Sequence, residues 1–256
     1  MSNQNGNNVE GFLLVNKPTG VSSFYCVEKI KKVIGPKTKI GHAGTLDSFA
    51  TGLLIIGIGR PATRHIGQIM ELDKWYTATG KLGQLTDTLD FTGSLIEDEK
   101  IEGITTEQIK TAIHELGHQY RQVPPIYSAL KHKGRSLSDL ARADKLTEEE
   151  LKKIVEKKAR VVNIYSCELL SLDLPYFTIE AHVSHGTYIR ILIDDIAQKV
   201  GTHATTHELN RSKIGPFSGT EAQELNHFKT EKEIREQLIS IETMLSLLEQ
   251  YQPSVS

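Results

Sequence analysis

The chain has 256 residues, which allows one large domain or two small ones and is ample for a sizeable core. Charged residues make up 24% and hydrophobic residues 38%, an ordinary soluble globular composition. Thirty Lys and Arg against 32 Asp and Glu leave a formal net charge of −2. That balance argues against a protein that coats nucleic acid without specificity, while a shaped site with locally clustered Lys and Arg stays open.

Residues 1–10 are polar and Asn-rich, and are expected to be a disordered tail. They lack the apolar core of a signal peptide, and no later apolar run is long enough to span a membrane. Cys26 and Cys167 lie far apart and fit no metal or redox spacing. A reducing, cytoplasmic setting is the simplest expectation.

Residues 11–15 read as a strand and residues 16–20 as the turn after it. Lys17 alone reads as a solvated turn lysine. Ser22 or Ser23 can cap a helix whose apolar Val27, Ile30, Val33 and Ile34 share a face, and Gly35-Pro36 ends it. The next stretch, residues 41–54, carries Gly41, Gly44 and Gly52, so its first half is not expected to form a regular helix or strand interior. It holds one carboxylate, Asp47, among small residues, and runs into the apolar residues 53–58, the pattern of a buried strand. An acid on a tight loop beside a rigid strand is a way to hold a reactive group. The plainer alternative is an Asp that caps a turn.

Gly57-Ile58-Gly59-Arg60-Pro61-Ala62 matches a G-x-G-x-x-A pattern, but Pro61 disturbs the turn and no βαβ series surrounds it, so a dinucleotide site is rejected. Residues 74–83 alternate as a strand containing Lys74 and Tyr76, and residues 86–90 form a loop in which Asp87 and Asp90 can be turn formers. Thr105 and Gln108 make a capping box for a helix bearing Ile109, Ile113 and Leu116, with Gly117 as its stop. Pro124-Pro125 keeps the next segment non-helical before the basic cluster Lys131, Lys133 and Arg135, which is either a solvated surface or a phosphate contact. Thr147 to Glu150 caps a short charged helix. Residues 160–170 and 176–184 read as strands, the second alternating Phe177, Ile179, Ala181 and Val183 with polar residues. A helix follows with Leu192, Ile193, Ile196 and Ala197, and Arg190 at its start reads alone as a solvated helix arginine. His203 and His207 have helical ligand spacing but lack the acid and third ligand of a zinc site, so no metal is expected. Thr220 with Gln223, and Thr230 with Glu233, are expected capping boxes of short helices.

Several of these stretches together resemble one family. Gly44-Thr45-Leu46-Asp47 followed by Ala50-Thr51-Gly52-Leu53-Leu54 resembles the catalytic motif of the TruB-type pseudouridine synthases. Lys17-Pro18-Thr19-Gly20 with Ser23, Lys74 and Tyr76 ahead of Leu82-Gly83, and Thr86-Asp87-Thr88-Leu89-Asp90 follow the family wording. So do Pro124-Pro125 with Ser128-Ala129, Lys131 and Gly134, then Gly186-Thr187-Tyr188-Ile189-Arg190, and Leu209 to Phe217. The matches run in family order from Lys17 to Phe217. Four positions depart: Ser138 replaces a usual tyrosine, Val183 a usual cysteine, His185 a Lys or small polar residue, and Asn210 a usual arginine.

The resemblance implies an α+β pseudouridine synthase fold, with a mixed, largely antiparallel sheet, flanking helices and an inserted segment near 93–157. It implies a catalytic domain over 11–250, and the chain leaves too little length for the separate C-terminal RNA-binding domain that many bacterial members carry. The implied activity is isomerisation of uridine 55 in the T arm of tRNA to pseudouridine, which involves no redox change and so no cofactor or metal. By family match Asp47 is the catalytic carboxylate, Arg190 keeps it ionised and oriented, and Tyr76 stacks on the extruded base. Leu209 lines the pocket, His42 fills space left in the rearranged RNA loop, and Lys17 and Lys74 support the pocket. Asp90, Lys131 and Arg211 complete the expected substrate-binding set. A guide-directed relative acting on ribosomal RNA and a catalytically silent RNA chaperone are the rivals; intact Asp47, Tyr76 and Arg190 argue against the second.

Overall fold

The computed structural model describes residues 8–128, 130–143 and 146–252. Residues 1–7 of the expected disordered tail, and Ala129 of the Ser-Ala motif, lie outside the described residues. The chain forms two compact units, Met1–Trp75 with Asn210–Ser256, and Tyr76–Leu209.

The first unit begins with β1 (Gly11–Lys17) and α1 (Ser23–Ile34), whose N-cap is Ser22 and whose C-cap is Gly35. A short β2 (Ile40–Ala43) then precedes β3 (Thr51–Ile58). β3 lies between β1 and β2 and is antiparallel to both. It is buried on both faces, which is why its sequence is continuously apolar. Leu54, Ile56 and Ile58 join Leu13 and Val15 of β1 against Cys26, Val27 and Ile30 of α1. Leu53 and Ile55 pack on the other side with Phe12, Leu14, Ala62, Ile69 and Phe217. The first half of the glycine-rich stretch does contain a strand, contrary to expectation. Gly41 pairs with Gly57, and the Ile66 side chain lies 3.0 and 3.3 Å from where their Cβ atoms would be. The glycines thus make room for α3 (Ile66–Met70), which follows the one-turn α2 (Arg60–Thr63).

β4 (Lys74–Leu82) leads into the second unit and alternates buried with half-buried residues, as its pattern predicts. A small hairpin follows, β5 (Gln84–Thr86) with β6 (Leu95–Asp98), then α4 (Thr106–Leu116) with its capping box and Gly117 stop. β7 (Gln119–Gln122) precedes the basic hairpin of β8 (Lys131–His132) and β9 (Arg135–Ser136). Lys133 and Gly134 at its tip both have positive φ, +49° and +83°, the combination a two-residue hairpin turn needs. α5 (Leu137–Arg142) and α6 (Glu148–Glu156) share a small core of Leu137, Leu140, Leu151 and Val155. β10 (Arg160–Asp173) is antiparallel to β7 on one side and to β11 (Tyr176–Val183) on the other. α7 (Ile189–Lys199) buries Leu192, Ile193 and Ile196. A Cβ on Gly80 of β4 would lie 2.6 Å from Phe177 and 2.7 Å from Ile193, so the glycine lets α7 close on the sheet.

β12 (Ala204–Ile214) runs from the second unit back into the first, where Asn210 and Arg211 pair in parallel with Thr51 and Gly52 of β3. β13 (Phe217–Ser218), β14 (Gln223–Glu224), α8 (Glu231–Glu236) and α9 (Ile241–Gln250) complete the first unit. β14 adds in parallel to β1. The mixed, largely antiparallel sheet with flanking helices is the α+β architecture expected.

Three sequence expectations fail here for local reasons. His207 lies on strand β12, so its spacing from His203 is not helical, and the His203 ring pairs instead with Asp194 at 2.9 Å. Thr220 caps no helix: Ser218 caps a single 3₁₀ turn over Gly219–Glu221 and Gln223 enters β14. Val9, within the expected tail, is buried against the α1 core.

Candidate active site

The motif residues fall into two groups, one in each unit. In the first unit Asp47 sits half-buried on the loop from β2 to β3, with Ala43, Leu46, Phe49 and Ala50 buried around it. Five anchors hold that loop. The Ser23 hydroxyl donates to the Leu46 carbonyl at 3.2 Å and accepts from the Leu46 N–H at 2.9 Å. The Ser48 carbonyl accepts from the Gly20 N–H at 2.8 Å and from Lys17 Nζ at 3.2 Å. Thr19 donates to the Phe49 carbonyl at 2.8 Å. Arg211 holds both ends, donating from Nη2 to the Gly44 carbonyl at 3.1 Å and from Nε to the Leu53 carbonyl at 2.9 Å. Gly52 has φ +105°, and a Cβ there would meet the Arg211 backbone at 2.4 to 2.9 Å. A glycine is therefore required where the loop enters β3 beside β12.

Lys17 is not a turn lysine. It is fully buried, and its ammonium also donates to the Pro18 and Val21 carbonyls at 2.9 and 2.8 Å. Burial pushes it down to about 8, against the opposing pull of Cys26 and Asp47. Lys74, also buried, donates to the Met70 carbonyl at 2.6 Å and to the Leu72 carbonyl. Burial, and then the Arg211 charge, push it down to about 7. His42 is lowered by burial and then by Arg211, which favours the neutral ring. Arg211 was expected among the substrate-binding residues. It is 1% exposed and is spent on the Asp47 loop, because two carbonyls in its path need a forked donor. Asn210 donates to the Thr51 hydroxyl at 2.9 Å and so pins the same strand junction.

In the second unit Arg190 is 3% exposed, at the second position of α7. It is not a solvated helix arginine. Nη2 donates to the Tyr127 carbonyl at 2.9 Å, Nη1 donates to the Thr88 carbonyl, and Nη1 lies 3.6 Å from Asp90 Oδ2. Asp90, expected among the substrate-binding residues, is buried; its Oδ1 accepts from the Thr92 N–H at 3.0 Å and its other oxygen faces Arg190. Its carboxylate therefore both shapes the turn and serves Arg190. Asp87 is a turn former, accepting from the Ser94 N–H at 2.7 Å. Tyr76 and Leu209 are both buried, 8% and 7% exposed. Lys131 lies on the exposed hairpin with Lys133 and Arg135, as a surface contact would. Ser138 donates to the Ser128 carbonyl at 2.9 Å.

Sequence reasoning gave no role to Ser23 beyond a motif position and a possible helix cap, which the adjacent Ser22 provides instead, and it missed Tyr251. Tyr251 donates to Asp73 at 2.9 Å, and the Asp73 carbonyl accepts from Gly215, a clamp between segments too distant in sequence to suggest it. Among the described residues no group of acidic, His or Cys side chains could hold a metal ion, and no helix is long and apolar enough to cross a membrane.

The family model for the TruB family pseudouridylate synthase N-terminal domain matches residues 31–189. A protein of Clostridium tetani named tRNA pseudouridine synthase B is 40% identical over 241 residues, which cover 94% of this chain and 80% of that one. Another of that name, from Endomicrobium trichonymphae, is 37% identical over 238 residues, covering 93% of this chain and 99% of its own length. Among solved structures, one described as a Cbf5-Nop10-Gar1 complex aligns with a TM-score of 0.67 at 23% identity, over 93% of this chain and 62% of the other. An archaeal box H/ACA sRNP Nop10-Cbf5 complex aligns with a TM-score of 0.63 at 22% identity, over 94% and 61%. This chain thus spans about three fifths of those solved chains, and the likeness shows a shared fold. The profile match and the curated relatives, taken with the Asp47 loop, establish that the chain belongs to the TruB family of pseudouridylate synthases.

Proposed function

We propose that this protein is a tRNA pseudouridine synthase that isomerises uridine 55 in the T arm of tRNA, acting in the cytoplasm and without a guide RNA. The observation that carries the reading is the Asp47 loop: one half-buried carboxylate on a segment anchored at Gly44, Leu46, Ser48, Phe49 and Leu53. Isomerisation needs a group that acts on the sugar while the base turns, and it needs that group held still.

The reaction breaks the bond from the ribose C1′ to N1, turns the uracil, joins C1′ to C5, removes the C5 proton and leaves a proton on the freed N1. Atoms and electrons balance without redox chemistry. The Asp47 carboxylate acts on the sugar as nucleophile or base. Tyr76 stacks on the extruded uracil, and its hydroxyl exchanges a proton with the base. Arg190, held by two carbonyls and Asp90, supplies a fixed positive charge to the reaction. Leu209 lines the base pocket, and the exposed Lys131 hairpin meets backbone phosphate. Relatives named tRNA pseudouridine synthase B share 40% and 37% identity with this chain, which favours tRNA as the substrate.

The test is purified protein with a T-arm transcript and no guide RNA, scored for pseudouridine at single-nucleotide resolution. Conversion at position 55 alone is expected. Conversion only after adding guide RNA, or at other uridines only, would refute it.

A further inference from the structure

Arg190 lies at the start of α7, and the start of a helix is its least constrained turn. Tyr188, the N-cap, makes no side-chain capping bond, so something else must hold this end. That group is the carboxamide of Gln122, 2% exposed at the end of β7. Its Oε1 accepts from the Tyr188 N–H at 2.8 Å, and its Nε2 donates to the Tyr188 carbonyl at 3.1 Å. One amide therefore grips both polar groups of one peptide residue, as a neighbouring strand would.

The grip is itself braced. Gln122 Nε2 also donates to the Tyr120 hydroxyl at 2.6 Å, and that hydroxyl hydrogen-bonds the Asp195 carboxylate, almost two turns further along α7. α7 is thus tied to β7 at two points along its length, which limits both sliding and rotation. Five residues after Gln122, beyond Pro124-Pro125, the Tyr127 carbonyl accepts from Arg190 Nη2. A single segment stiffened by two prolines touches the helix backbone at one end and the Arg190 guanidinium at the other.

We propose that Gln122 is a positioning residue for pseudouridine formation, its carboxamide setting the first turn of α7 and thereby the direction of the Arg190 guanidinium. The proposal rests on the reading that Arg190 acts in the reaction. Glu does not replace Gln here: an ionised carboxylate accepts from Tyr188 N–H but cannot donate to the Tyr188 carbonyl or to Tyr120.

Two measurements test it. Hydrogen exchange in the peptide 186–193 is compared for wild type, Gln122→Ala and Gln122→Glu, with α4 as the internal standard. Exchange should quicken by about tenfold or more in that peptide and not in α4. Unchanged exchange would overturn the proposal whether or not any RNA reacts. The second measurement is single-turnover pseudouridine formation beside T-arm binding. The rate should fall by about tenfold or more while affinity stays within about threefold. The Gln122→Glu rate, divided by the wild-type rate at each pH, should rise as pH falls from about 8 to about 5.5, because a protonated Glu regains a donor. Tyr120, Asp195, Cys167 and the Arg160 guanidinium over the Tyr188 ring are ionisable groups near the carboxamide; they are present in both proteins, so the ratio reports the change that the substitution makes. A wild-type protein with no activity would sink the functional reading. An active wild type with an equally fast Gln122→Ala would sink this one.

Discussion

Arg211→Met should loosen the Asp47 loop at both ends. Arg211 is 1% exposed and donates to the Gly44 and Leu53 carbonyls. A charge-assisted bond of this kind contributes about 1.5–3 kcal/mol, and both carbonyls lose this donor in the variant. Part of that loss is returned, because the Arg211 charge presses on Lys17, Lys74 and His42, and removing it eases all three. The net cost is about 3 kcal/mol. For a chain of this size that lowers the melting temperature by about 6–12 °C. Arg211→Lys keeps the charge but cannot span two carbonyls, and should recover less than about half of the loss. Calorimetry of the three proteins reads the stability, and single-turnover conversion of a T-arm transcript reads the loop. The variant's rate should fall further than its RNA affinity, since a guanidinium already spent on two carbonyls has little to offer a phosphate. A melting temperature within about 2 °C of wild type, or a loss confined to RNA affinity with a flatter salt dependence, would refute this and return Arg211 to the substrate-binding set.

Lys17→Met removes the ammonium shared by the Pro18, Val21 and Ser48 carbonyls, and should cost about 2–4 kcal/mol in chemical denaturation; a cost near zero would mean the ammonium is incidental. Tyr76→Phe should bind the T arm normally and turn over poorly, since the ring remains while the hydroxyl is lost; full activity would reduce Tyr76 to a stacking surface. Asp195→Asn should stabilise the protein above about pH 6. Burial raises the Asp195 carboxyl from 3.8 to about 6, so the folded state binds more protons than the unfolded state between those values, and stability falls as pH rises through that window. The penalty at neutral pH has a ceiling of about 3 kcal/mol, of which Asn should return about 1–2 after its weaker bond to Tyr120. A pH-stability profile unchanged in shape would contradict this assignment.

What could be read in the sequence was local. The capping boxes at Thr105, Thr147 and Thr230 appear as expected because each is complete within four residues. β3 was legible because burial on both faces demands an unbroken apolar run. The motif string around Asp47 identified a loop and its single acid, but not what holds it. Taken alone, Lys17 and Arg190 looked solvated, and the burial of Arg211 was not foreseen, for one shared reason: their residue types favour solvent, and burial arises only when distant carbonyls converge on them. Gln122 carried no signal for this role, since the Tyr188 N–H and carbonyl it holds lie 66 residues away and are backbone atoms. Thr220 failed because Ser218 competes for the cap and the chain extends directly afterwards.

The central claim is that the Asp47 carboxylate performs the isomerisation. Asp47→Asn keeps the size of the side chain and its place on the anchored loop, but removes the charge and the nucleophile. Single-turnover conversion of uridine 55 and T-arm affinity should be measured together on this variant and on wild type. The account predicts no detectable pseudouridine with the Asn protein, at an affinity within about threefold of wild type. Conversion near the wild-type rate would contradict it.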